Sequence, residues 1–72
     1  MADPDPTRLA PSPRQIQVAQ LIADGCSIAE AASAMSVTRP TAKGTLANLA
    51  ARLGLHTRAE IVVEMMRRGL VT

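Results

Sequence analysis

Residues 38–53 read TRPTAKGTLANLAARL, and their spacing decides the fold. Apolar residues fall at Ala42, Leu46, Leu49, Ala50 and Leu53, the recurrence of a helix with one buried stripe. Thr38 stands in the N-cap position, Pro40 lies in the first turn, and Gly54 follows the last periodic residue. A helix is therefore predicted over residues 39–53. Its other face carries Lys43, Gly44, Ala47, Asn48, Ala51 and Arg52. That face is basic at its flanks and nearly bare between them. A bare helix face can come very close to another surface.

Upstream, Ser27-Ile28-Ala29-Glu30 forms a capping box. It opens a short helix with Ile28, Ala31, Ala32 and Met35 directed inward. Met35-Ser36-Val37-Thr38 is a turn, with Val37 as its buried plug. A short helix, a tight turn and a longer helix make a helix-turn-helix. Further upstream, Ser12-Pro13-Arg14-Gln15 combines an N-cap Ser, Pro at the first helical position and a Gln that completes a second box. The helix it opens has a broad apolar face (Ile16, Val18, Ala19, Leu21, Ile22, Ala23) and stops at Gly25. Residues 1–11, with Pro4, Pro6 and Pro11 among Asp and Thr, read as a flexible tail. Leu9 alone has reason to fold back. The domain is expected over residues 12–72.

Downstream, Leu55-His56-Thr57 is a connector, and Thr57-Arg58-Ala59-Glu60 is a third capping box. The final helix carries Ala59, Ile61, Val62, Val63, Met65, Met66 and Leu70 and ends at Gly69. The expected fold class is all-α, a four-helix bundle containing a helix-turn-helix. At about 100° per residue the final helix's apolar residues sweep roughly 200°, twice what one core requires. The expectation is that Ala59, Val62 and Met66 face the core. Ile61 and Met65 would then meet the same pair on a second copy, giving a homodimer through the C-terminal helix.

Composition sets bounds. Seventy-two residues allow one domain, and the absence of Phe, Tyr and Trp leaves a core of Leu, Ile, Val, Met and Ala. Such a core is worth about 3–5 kcal/mol net. The single Cys26 forms no internal disulfide, and one Cys with one His makes no metal site. Neither a metal nor a cofactor is expected. There is no Ser/His/Asp set, no Gly-rich loop after a strand and no paired carboxylates, so no catalytic residue is nominated. Apolar runs are too short to cross a membrane, and no signal-peptide pattern is present. A cytoplasmic location is the expectation.

The net charge is only +2, but it is unevenly placed. Between Glu30 and Glu60 there is no acid, whereas Arg39, Lys43, Arg52 and Arg58 all lie there. A clustered basic block is the footprint of nucleic-acid binding, and it is equally the pattern of a solvated helix face. Arg39 and Lys43 fit phosphate or guanine contact at the helix start. Arg52 and Arg58 fit either phosphate contact or helix-end electrostatics. Gly44 fits close approach to a partner or drift. His56 reads as a connector residue, Cys26 as a small part-buried one, and Met65-Met66 as packing.

Several pieces resemble the LuxR/FixJ-type (GerE-like) helix-turn-helix domain of bacterial transcription regulators. Ser12-Pro13-Arg14-Gln15 is similar to its opening T-P-R-E, and Gly25 with Ser27, Glu30 and Ala32 to G-x-S-x-x-E-I-A. Thr38, Thr41, Ala42 and Lys43 resemble S-x-x-T-V-K; Leu49, Arg52, Leu53 and Gly54 resemble I-x-x-K-L-G. Arg58-Ala59-Glu60 and Gly69-Leu70-Val71 match R-A-E and G-L-I. The resemblance spans residues 12–71. It implies four helices, the third in the DNA major groove and the fourth often pairing two copies. It also implies base or phosphate contacts at Lys43, Gly44 and Ala47, and phosphate contacts at Thr38 and Thr41. Together with Arg39, Asn48, Arg52 and Arg58 these form the expected DNA-binding set. The chain departs from the pattern at Thr45, where His is usual, and at Gly44 and Ala47, which offer no hydrogen-bonding side chain.

Two functions fit. One is a small DNA-binding transcriptional regulator, with double-stranded DNA as partner and possible points of contact with the transcription machinery. The other keeps the fold and binds a transcription component or another regulator instead of DNA. The final region of a sigma factor is built similarly, but the R-A-E and G-L-V elements favour the LuxR-type pattern. Salt separates the two functions, because phosphate contacts weaken steeply with added salt and an apolar groove does not.

Overall fold

The computed structural model describes residues 10–72. Among them are four helices and no strand: α1 (Pro13–Ala23), α2 (Ile28–Met35), α3 (Arg39–Leu53) and α4 (Arg58–Arg67). The expected tail and the Leu9 fold-back lie outside the described residues, except for Ala10 and Pro11. Pro11 is buried, so packing begins before the first cap.

Side-chain caps start every helix. Ser12, Ser27 and Thr57 form complete capping boxes with Gln15, Glu30 and Glu60, while Thr38 accepts from the Thr41 N–H alone. Each cap satisfies an N–H group that the helix itself cannot pair. The α2–α3 turn adds a feature that glycine content does not reveal. Ser36 takes the left-handed conformation (φ 58°), and the Val37 N–H reaches back to the Ala32 oxygen at 3.0 Å. This 6→1 bond turns the chain sharply into α3. Val37 is half-buried beneath the turn.

The first helix α1 and the third, α3, form the middle of the bundle, with α2 and α4 packed against both. The core is Val18, Ala19, Ile28, Ala31, Ala32, Ala42, Leu46, Leu49, Ile61, Met65 and Val71. The alanines among them let α2 lie close on α1 and α3, which fixes α3's angle of presentation. At the other end, Gln20 clasps Thr72. Its Nε2 donates to the Thr72 oxygen (3.1 Å) and its Oε1 accepts from the Thr72 N–H (3.0 Å).

The α4 helix corrects one expectation. Ile61 and Met65 are buried in the monomer core, at 3% and 0% exposure, while Val63 and Met66 are the exposed ones, at 56% and 47%. Ala59 is also exposed and Val62 half-buried. Ile61 and Met65 are therefore unavailable to a second copy. The physical reason lies past the helix. The Leu70 N–H bonds the Met65 oxygen, Val71 is buried, and Thr72 is held by Gln20. Those contacts set α4's rotation with Met65 inward.

The caps carry a pH dependence. Glu60 accepts from the backbone N–H groups of His56 and Thr57, and these hold its carboxyl below the ordinary carboxylate value. The Ser27 N–H, then its hydroxyl, does the same for Glu30. The lowered folded values mean that this stability is fully present above the unfolded value of about 4.3 and is lost as pH falls through the folded values. A Glu30→Gln, Glu60→Gln variant should keep the caps, as Gln15 does in α1. Its thermal midpoint should fall less than the wild type's between about pH 5 and pH 2. An equal acid loss in both would refute the assignment.

Candidate nucleic-acid interface

Ala42, Leu46 and Leu49 point α3 into the core, so the opposite direction points out. At about 100° per residue, Ala51, Gly44 and Pro40 lie within roughly 30° of that outward direction and Ala47 and Asn48 within about 55°. Lys43, Thr41, Arg52 and Thr45 stand off at about 75–115°, on the two flanks. Pro40, Ala47, Asn48 and Ala51 are exposed and Gly44 is half-buried. The outward ridge is thus low, and its polar members sit at its edges.

One flank becomes a groove. Arg39, Pro40 and Lys43 of α3, Arg58 of α4, and Ser27, Ile28 and Ala29 at the α2 N-terminus line it together. Three chain segments converge there, and all three of its charged members are cations. Among the described residues, the ion pairs join Glu64 to Arg67 (3.4 Å) and to Arg68 (2.9 Å). Among the described residues, none of Arg39, Lys43 and Arg58 is paired with a carboxylate. The acids nearest in sequence, Glu60 and Glu30, are both turned back on cap N–H groups, accepting from Thr57 at 2.9 Å and from Ser27 at 2.8 Å. The α2 N-terminus adds the positive end of its helix dipole.

Two of these cations stand where the fold gains nothing from them. Arg39 and Arg58 are the first residues of α3 and α4. A cation in a helix's first turn opposes the dipole and is mildly unfavourable. Helix-end electrostatics therefore does not account for Arg58, whereas it does for Arg52, in the last turn of α3. Arg52 is further occupied by the Ala10 oxygen, to which its Nη1 donates at 2.7 Å. The structure brings Arg39, Lys43 and Arg58 together and leaves Arg52 on the other flank.

The threonines form a ladder. The Thr38 hydroxyl donates to Thr41 Oγ1 (2.9 Å) while accepting from the Thr41 N–H (3.3 Å), and the Thr45 hydroxyl donates to the Thr41 oxygen (2.9 Å). Thr38 and Thr45 are engaged within the helix. This arrangement leaves the exposed Thr41 hydroxyl proton free to donate outward. Ala47 shares a shallow recess with Lys43, His56, Thr57 and Arg58. Sequence reasoning missed Ser27 and Ala29 as groove members. The capping box marks that helix start, but only the packing of α2 on α3 turns it towards Lys43. His56, read as a connector, borders the recess.

What this arrangement supplies is anion binding beside a low helical ridge that can approach a partner closely. Among the described residues no three His, Cys, Asp or Glu side chains come together as a metal site, and no helix is long and apolar enough to cross a membrane. Compared with known proteins, residues 11–65 match the profile of bacterial regulatory proteins of the luxR family. No curated protein matches the chain.

Proposed function

This chain belongs to the luxR family of bacterial regulatory proteins, and from that premise we propose that it inserts α3 into the major groove of a transcriptional control site. Membership makes it a DNA-binding regulator domain. The finer reading rests on the groove of Arg39, Lys43 and Arg58, unpaired and flanking the low ridge of α3. In it these cations grip phosphates at one rim, Gly44, Ala47 and Asn48 face the base edges, and the Thr41 hydroxyl, on the opposite flank, grips the far rim. Thr38 acts through its cap, positioning Thr41, and Arg52 meets the far rim once it releases Ala10. The protein works at the chromosome in the cytoplasm, close enough to the transcription machinery to touch it.

The test is selection from random duplex DNA at two salt concentrations. Enrichment of one sequence, with log affinity falling linearly with log salt, is the expected result. Failure to bind DNA, together with salt-insensitive capture of a transcription protein, would instead establish the protein-interaction function.

We place dimerisation on the face that packing leaves open. Val62, Val63 and Ala59 of α4 line a mostly apolar recess with Ile22 and Ala23, bordered by Arg58, and Met66 is exposed on the same helix. Two copies joined there would address two half-sites about one helical turn apart. Val63→Glu should leave the melting temperature near the wild-type value, because Val63 is 56% exposed. Sedimentation should show the wild type self-associating at micromolar to millimolar concentrations and the variant remaining monomeric. A wild type that is monomeric throughout that range excludes this dimer.

A further inference from the structure

The polar side chains of α3 divide by occupation. Thr45 bonds within the helix, Thr41 accepts from Thr38 and keeps only its proton free, on the flank, and Arg52 bonds Ala10. Arg39 and Lys43 line the cationic groove. Asn48 remains: exposed, uncharged and, among the described residues, without a hydrogen-bond partner. It is the one hydrogen-bonding side chain within about 55° of α3's outward direction.

What precedes it in the helix matters as much. Helical side chains lean towards the N-terminus, over the residue four positions earlier. For Asn48 that residue is Gly44. No turn requires this glycine, since its φ is not positive. Packing does not require it either, because a Cβ built there would meet no heavy atom within 4 Å. A mid-helix Gly with no internal reason costs helix stability. Its effect is to keep the ridge bare one turn before Asn48, where a larger side chain would stand between the helix and a groove floor. Ala47 and Ala51, its neighbours on the ridge, are too small to hold a groove floor away from so short a side chain.

We propose that Asn48 is the specificity-determining residue of this interface and that it reads adenine, with Gly44 as the clearance that lets its amide reach the base. An Asn amide offers one donor and one acceptor side by side. Adenine offers the complementary N7 acceptor and N6 donor in the major groove, while guanine presents two acceptors there. Lys43, standing about 90° from the outward direction at the cationic rim, is left to the phosphates. This rests on the DNA-binding function proposed above and names the base it selects.

The experiment uses the best duplex from the random selection, with each A·T pair changed in turn to G·C and, separately, each adenine to 7-deazaadenine. The wild type should lose affinity roughly 10- to 100-fold at one adenine per half-site on the change to G·C. It should also lose affinity for 7-deazaadenine there. Asn48→Ala should show neither loss at that position and should keep the salt slope. Gly44→Leu should erase the same preference while its melting temperature holds or rises. Asn48→Ala retaining the full adenine preference, or losing affinity equally for all sequences, would overturn the assignment. Gly44→Leu keeping the preference would overturn the clearance role. A wild type that binds no duplex in a salt-sensitive way would bring down the DNA-binding function itself, and this inference with it.

Discussion

Changing Arg39, Lys43 and Arg58 together to alanine should collapse DNA binding while the fold stays as stable or gains slightly. Each phosphate neutralised contributes about 0.9 to the slope of log affinity against log salt. Removing three should therefore make the slope shallower by about three units. The same counterion release amounts to roughly an eightfold affinity gain per contact at about 0.1 M salt, or roughly 500-fold for three. The stability arm is what makes the result specific. Arg39 and Arg58 are first-turn cations that oppose their helix dipoles, and none of the three pairs with a carboxylate among the described residues. Alanine is also the better helix former. A thermal midpoint that holds or rises beside collapsed binding assigns the cations to a partner. A slope unchanged within error removes them from the interface.

The second large effect is on the core. Leu49 is fully buried at the centre of α3, in a core without an aromatic side chain. Leu49→Ala deletes its buried methyls and leaves a cavity, typically costing about 2–5 kcal/mol. A domain of this size has about that much net stability in all. The variant should be largely unfolded near 37 °C by circular dichroism, with DNA binding lost in proportion. A cooperative transition within a few degrees of the wild type would mean that the neighbouring alanines can close the space.

The four helices were legible because each announces its own start. Ser12, Ser27, Thr38 and Thr57 all cap where they were expected to, and α3 buries Ala42, Leu46 and Leu49. These signals are local, decided within one turn. The rotation of α4 was not local. With apolar residues over about 200° of its surface, pattern allowed more than one inward face, and contacts past Gly69 chose Ile61 and Met65. The site was legible in part for the same reason. Arg39 and Lys43 belong to a helix whose outward face the sequence gives directly. Arg58 joins them only because the α3–α4 connector returns the chain alongside, and Arg52's bond to Ala10 leaves no trace in spacing. Ser36's left-handed backbone was hidden because serine, unlike glycine, does not advertise it.

The clasp of Gln20 on Thr72 also bears on how long a folded molecule lasts. It joins residues 52 apart, whereas the capping boxes close over three. Short loops close early, and a contact this distant in sequence forms after the helices have docked. Interactions absent from the transition state act on the unfolding rate. Gln20→Ala should therefore raise the unfolding limb in stopped-flow measurements, at unchanged slope, and leave the refolding limb in place. An equal loss in both limbs would put the clasp in the folding nucleus. On the expected outcome, one amide near the end of α1 sets the lifetime of the native state, and the caps set how readily it is reached.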